Sequence, residues 1–275
     1  MEAESANAGN ADGGSTDEYR SQIGIYVAAA QRILKAEEEI LSRISSGDGD
    51  SAAKRLVLAD EMLNLVSNYI AVNGVHMAML KTRDDGALAE ARKALYKSVA
   101  YAEEVVTPFI DAPFSEYKQR LEAIESVSPA WRYFFVRKTG LSIDLLANAY
   151  GDNTKWRWAF VELKGRFVAV AKNFLNLDRI VQYTDMRSAH YEPTVYHLKL
   201  VKKLLETVAE GYRKKYELSS NSIADFKKSL DFLAALRQLC LLSGDTGFAE
   251  TVKKRIDVWK SKLTSDIASR KAKNG

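Results

Sequence analysis

Three histidines, one cysteine and a few runs of paired carboxylates are the side chains in this sequence whose chemistry extends beyond packing. His190, Glu192 and His197 offer two imidazoles and one carboxylate, the ligand types a zinc ion takes. Pro193 falls among them and breaks the helix that would align them, so the trio reads as surface histidines. Cys240 lies on an apolar helical stripe, where a thiol behaves as a small hydrophobe. The carboxylates Glu103-Glu104 and Glu37-Glu38-Glu39 fall on polar faces, whereas general acid–base work needs a carboxyl desolvated in a cleft. The glycines cluster near the amino terminus or stand singly, with no loop that cradles phosphates. No catalytic residue, metal or cofactor is expected, and the chain reads as a non-enzyme.

One segment interleaves cations and rings: Lys155-Trp156-Arg157-Trp158, then Lys164, Arg166 and Phe167. Nucleic-acid binders use that combination, with cations on phosphates and rings on bases. On a helix, however, Trp156, Phe160, Leu163 and Phe167 form one ordinary core stripe. Core packing is the preferred reading, and nucleic-acid binding through the basic half stays as the alternative function.

The elements that must position these residues are helices. The chain has 275 residues, 47% of them apolar and only four of them proline, with Ala, Leu, Lys and Glu abundant. A single cysteine forms no internal disulfide, which points to a reducing compartment. No apolar run approaches the roughly 20 residues that span a bilayer, and the amino terminus is acidic and polar. A cytoplasmic protein away from membranes is expected. Residues 1–128 carry 13 Lys and Arg against 21 Asp and Glu, and residues 129–275 carry 27 against 15. The halves are therefore −8 and +12, a split that can steer an acidic partner to the second.

Residues 1–16 are Gly, Asn, Ala and Ser with a few acids, too polar to offset the entropy of ordering, and a disordered tail is expected. Asp17 is a good N-cap for a first helix ending at Ser45–Asp50. A second runs from about Ser51 to Leu80, with Leu58, Leu65, Tyr69 and Val72 on one side. A third follows Asp84-Asp85-Gly86 and closes before Pro108, and a short one covers about Ser115 to Ser126. Pro129 opens a helix carrying Trp131, Phe134, Phe135, Leu141, Leu145 and Ala149 to a Gly151-Asp152 stop. The next spans about Thr154 to Leu177. Pro193 opens another, which aligns Val201, Leu205, Val208 and Tyr212. The last two line up Ile223, Phe226, Leu230, Leu233 and Cys240, then Phe248, Val252, Ile256, Trp259 and Leu263. Such stripes are helix–helix interfaces first. The expected fold is an all-α antiparallel bundle of about nine helices, a single domain over residues 17–268, with a flexible basic tail over 269–275.

The run Phe134-Phe135-Val136-Arg137-Lys138-Thr139-Gly140, then Leu145-Leu146-Ala147 and the Gly151-Asp152 turn, resembles the fifth helix of 14-3-3 proteins. Glu61, Leu65, Tyr69, Val72 and Gly74 are similar to that family's third helix, Pro193 and its stripe to the seventh, and the helix ending in Trp259 to the ninth. The resemblance implies a cup-shaped adaptor of the signalling type that dimerises through its first helices, with itself or with a second chain. It implies a concave groove holding a phosphoserine peptide of a partner protein. The groove positions would be Leu200, Val201, Val252, Arg255 and Trp259. The phosphate-gripping Lys, two Arg and Tyr of the family fall on Ile70, His76, Asp144 and Leu145, where the Asp carboxylate repels a phosphate and the Ile offers no donor. Phosphate recognition is expected to be lost, or moved to Lys253, Lys254 and Arg255.

Overall fold

The computed structural model describes residues 9–47, 49–151 and 154–274, with side chains described from residue 17 to 270 apart from 48, 152 and 153. It is all-α, with no strand among the described residues. Among the described residues ten α-helices follow in order: α1 (Gly9–Ser45), α2 (Ser51–Leu80), α3 (Asp85–Val105), α4 (Phe114–Glu122) and α5 (Pro129–Tyr150), then α6 (Arg157–Asn173), α7 (Ile180–Tyr183), α8 (Tyr191–Lys215), α9 (Ile223–Leu242) and α10 (Thr246–Asn274). The helix missing from the sequence reading is α7, one turn long and preceded by a 3₁₀ turn at Leu177–Arg179. Asn176 caps that turn by accepting from the Arg179 amide, which ends α6 four residues before the expected stop at Leu177.

The chain groups into two units, Met1–Tyr101 with Leu141–Asp152, and Ala102–Gly140 with Asn153–Gly275. The division falls inside α3 and α5.

In the first unit α1 packs along α2. The Ser51 start is set by Asp50, whose carboxylate accepts from the Ala52 and Ala53 amides at 2.9 and 3.1 Å. Asp84 does the same for α3, accepting from Ala87 at 2.9 Å. Leu58, Leu63, Leu88, Leu95, Ile143 and Leu146 are buried completely. α1 begins at Gly9 rather than at the expected Asp17 cap. Once nucleated, a helix gains one hydrogen bond per added residue, so its end need not sit at the best cap. Residues 1–8 of the expected tail lie outside the described residues.

Glu37 is the buried charge of this unit, 4% exposed. Lys97 Nζ donates to both its oxygens, at 2.7 and 3.0 Å, and the Tyr101 hydroxyl donates at 2.5 Å. Lys97→Met leaves a desolvated carboxylate with a neutral donor alone. It is expected to cost about 2 kcal/mol, read from urea unfolding, and Glu37→Gln in the same chain should recover part of it.

In the second unit α6 packs on α8, α8 on α9, and α9 on α10. Val201, Leu205, Val208 and Tyr212 of α8 are buried as the stripe requires, as are Phe226, Leu233 and Cys240 of α9 and Val252, Ile256, Trp259 and Leu263 of α10. The Tyr212 ring stacks on Phe232 at 5.7 Å, and Phe226 meets the edges of both Tyr216 and Trp259. α8 ends in a π turn at Tyr216–Ser220 and stops at Asn221, which takes the left-handed conformation with φ 47°. Arg270 donates to the Asn221 carbonyl at 2.7 Å and to the Tyr216 hydroxyl at 3.1 Å. That anchorage explains why α10 continues to Asn274, through residues expected to be a tail.

Candidate partner-binding surface

α5 is where the sequence and the structure part most usefully. Its buried face is Phe135, Val136, Thr139, Ser142, Ile143 and Leu146. Phe134, Leu141 and Leu145, expected in a helix interface, are instead 59%, 54% and 56% exposed. Leu141 and Leu145, four residues apart, share one side of the part of α5 that lies in the first unit.

In the second unit Phe134 belongs to an aromatic group. Its ring lies 5.4 Å from that of Tyr133, which lies 6.0 Å from Tyr196 of α8. Tyr196 is itself 45% exposed. Glu192 stands one turn earlier, and that carboxylate's charge pushes the Tyr196 phenol pKa up. Tyr196, Lys199 and Lys203 stand at i, i+3 and i+7, so they share the outer face of α8, and both lysines are exposed. On α5, Arg137 stands one turn beyond Phe134 and is exposed too. These three cations have no ion-pair partner among the described residues, and Glu192 is the acid beside the rings. The arrangement is an apolar, ring-built patch with positive charge on both helices that carry it.

The residues expected to line a groove are distributed differently. Val201 and Val252 have no exposed surface, and Trp259 is 4% exposed, its ring covered by the Arg213 guanidinium at 4.9 Å. These three are core of the second unit. Leu200 is half-buried, and Arg255 donates to Glu206 at 2.6 Å. Lys253 and Lys254 are exposed, with Lys253 3.8 Å from Glu250. Sequence matching chose the inward stripe of α8, because apolar periodicity marks the buried side. The outward stripe was legible only as Tyr196 between charged residues, a pattern that reads as a solvated face.

Of the four positions matched to a phosphate grip, all in the first unit, Ile70 and His76 are half-buried, and Asp144 and Leu145 are exposed. His76 is engaged by the Tyr19 hydroxyl and Thr82 Oγ1, each at 3.0 Å, with Asp84 3.9 Å away. No lysine or arginine occupies any of the four.

His197 is buried, with its Nε2 3.0 Å from the Ala171 carbonyl, while His190 packs edge-on against Tyr183 at 4.8 Å. Among the described residues no group of three His, Cys, Asp or Glu is placed to hold a metal. Of the stripe expected in the mixed segment, Phe160, Leu163 and Phe167 are buried in α6, whereas Trp156 precedes that helix. Trp156 and Trp158 remain half-buried, each beneath its neighbouring cation, Lys155 at 5.2 Å and Arg157 at 4.7 Å. No helix among the described residues is long and apolar enough to cross a membrane.

The model of the TP0443 family matches residues 15–267. No curated protein and no solved structure matches the chain.

Proposed function

We propose that this chain, which belongs to the TP0443 family, is a non-catalytic cytoplasmic adaptor that binds partner proteins on the exposed aromatic and basic face of α5 and α8. The observation that carries this is Phe134, 59% exposed beside Tyr133 and Tyr196. Large rings left in water by a folded chain mark interaction surfaces, and aromatic residues and Arg are enriched at such surfaces. Arg137, Lys199 and Lys203, within a half of the chain carrying +12, favour a partner segment that is acidic as well as apolar.

The resemblance to 14-3-3 proteins supports the same class, an adaptor with phosphoserine recognition lost. It also supports dimerisation through the first helices, where Ile25 of α1 is 70% exposed and Met77 and Leu80 of α2 are 44% and 48% exposed. Light scattering at twice the chain mass, falling to the single mass in Ile25→Glu, is the expected sign of a dimer.

The contact surface is tested by fluorescence polarisation with labelled peptides alternating Leu with Glu or Leu with Lys. The acidic peptide should bind, more weakly at high salt, and Phe134→Ala with Lys199→Ala and Lys203→Ala should weaken it at least about tenfold. Equal binding of the basic peptide, or an unchanged affinity in the variant, rejects the surface. Replacing one Glu by phosphoserine should change little.

The second reading, nucleic-acid binding, has the half-buried Trp156 and Trp158 with Lys155 and Arg157 in its favour. It requires affinity for single-stranded RNA or DNA that falls by roughly one log–log unit in salt per phosphate contact. Absence of binding at low salt removes it.

A further inference from the structure

Arg132 is a guanidinium that the fold buries without a carboxylate against it. It is 6% exposed and belongs to the first turn of α5, the helix end whose dipole disfavours a cation. Its Nε donates to Val127 at 3.1 Å, Nη2 to Ile124 at 2.7 Å and Nη1 to Phe174 at 3.4 Å, all backbone carbonyls. Three of five N–H bonds are thus used, and two have no partner among the described residues. A buried cation satisfied only by carbonyls is costly relative to an apolar side chain of the same size. Desolvation pushes its pKa down to about 10.

The same residue lines a cleft of about 360 Å³, within the size range of small-molecule sites. The outer wall carries two ion pairs, Lys118 with Asp178 at 2.7 Å and Arg179 with Glu125 at 2.6 Å. All four of these side chains are about half exposed, so each pair contributes little and opens readily. The Arg179 guanidinium also reaches the Tyr183 hydroxyl at 3.0 Å, and Glu122 adds a further carboxylate to the lining. The charges of the wall balance in number, three cations against three acids, but not in depth. Glu122, Glu125 and Asp178 are all exposed, whereas Arg132 is buried, so the least exposed charge of the lining is a cation.

We infer that this cleft binds a small oxyanion-bearing molecule, a phosphate ester or a carboxylate, with Arg132 as its fixed charge and Lys118 and Arg179 closing on it from the mouth. The guanidinium is held by three carbonyls in one orientation, so little side-chain entropy is left to lose when it engages an anion. Lys118 and Arg179 exchange a weak pairing with Asp178 and Glu125 for a charge-assisted hydrogen bond to the bound anion. This site is independent of the α5 and α8 surface, and either can fail without the other.

The test is isothermal titration calorimetry of the full chain with inorganic phosphate and with acetate, each against chloride at matched ionic strength. Saturable binding of at least one, with a dissociation constant on the order of 1 mM or tighter, is the expected result. Phosphate preferred over acetate assigns the site to phosphate esters, and the reverse to carboxylates. Lys118→Ala with Arg179→Ala, both at exposed positions that the fold does not need, should weaken binding at least about tenfold. Arg132→Lys keeps the charge but not the fork and should abolish binding with an unchanged circular dichroism spectrum. If that variant fails to fold, the double variant decides. No saturable heat on the wild-type chain, or a double variant that binds as tightly as wild type, overturns the site.

Discussion

Gly165→Ala is expected to destabilise the protein by at least about 2 kcal/mol, although Ala exceeds Gly by about 1 kcal/mol in a helix interior. Gly165 sits in the middle of α6 where that helix crosses α8. A Cβ there would lie 2.6 Å from the Tyr212 hydroxyl and 2.8 Å from its Cε2. The ring cannot swing away easily, since it is 3% exposed, stacked on Phe232, and has the Lys228 ammonium 5.3 Å from its centroid. Overpacking of this kind typically costs 1–3 kcal/mol, with roughly the upper part applying where ring and backbone are both held. Urea unfolding of the variant measures it. Pairing Gly165→Ala with Tyr212→Leu should recover part of the loss, because the two positions share one clash and are not additive. A Gly165→Ala chain more stable than wild type would mean that propensity alone governs the position.

The second large effect is a dependence of stability on pH with two limbs. Burial pushes His197 down to about 4 from 6.5, so between those values the unfolded chain binds the proton and the folded chain does not. Stability is then full above pH 6.5 and falls on acidification to pH 4, by about 3 kcal/mol from this group. Lys172 is 4% exposed and donates to the Ile110 carbonyl at 3.1 Å, and the charge of Asp111 only partly opposes its desolvation. Burial pushes its ammonium down to about 8 from 10.5. Between pH 8 and 10.5 the unfolded chain again holds the extra proton, so stability rises with pH across that window, also by about 3 kcal/mol. Urea midpoints by circular dichroism from pH 4 to 10.5 give the profile. His197→Gln should flatten the acid limb and Lys172→Met the alkaline one, each leaving the other in place. A flat profile, or an alkaline limb that falls, contradicts the burial of these groups.

Helix positions were legible because apolar periodicity and caps agree along most of the chain. α2 begins and ends where Asp50 and the 81–84 turn put it, and α5 runs from Pro129 to the Gly151 stop. The inward faces of α8, α9 and α10 were legible for the same reason. What escaped was anything that depends on which apolar residue lacks a partner. Phe134, Leu141 and Leu145 have the same spacing as a core stripe, and only packing tells that the helix buries its other side. Arg132 was hidden in the opposite sense, an ordinary surface residue by type that the turns after α4 and α6 cover with their carbonyls. At Ile70 and Leu145 residue type alone says that the side chain offers no donor, whatever the geometry.

The measurement nearest to the central claim is quantitative affinity purification of the tagged full chain from its native cell, beside Phe134→Glu with Lys199→Glu and Lys203→Glu. These three changes reverse the apolar and positive character of the α5 and α8 face at exposed positions, so the fold should be kept, as circular dichroism can verify. An adaptor that works through this face recovers a defined set of proteins as wild type and loses that set in the variant. Recovery of the same proteins at the same yield by both would place partner binding elsewhere on the molecule and contradict the account.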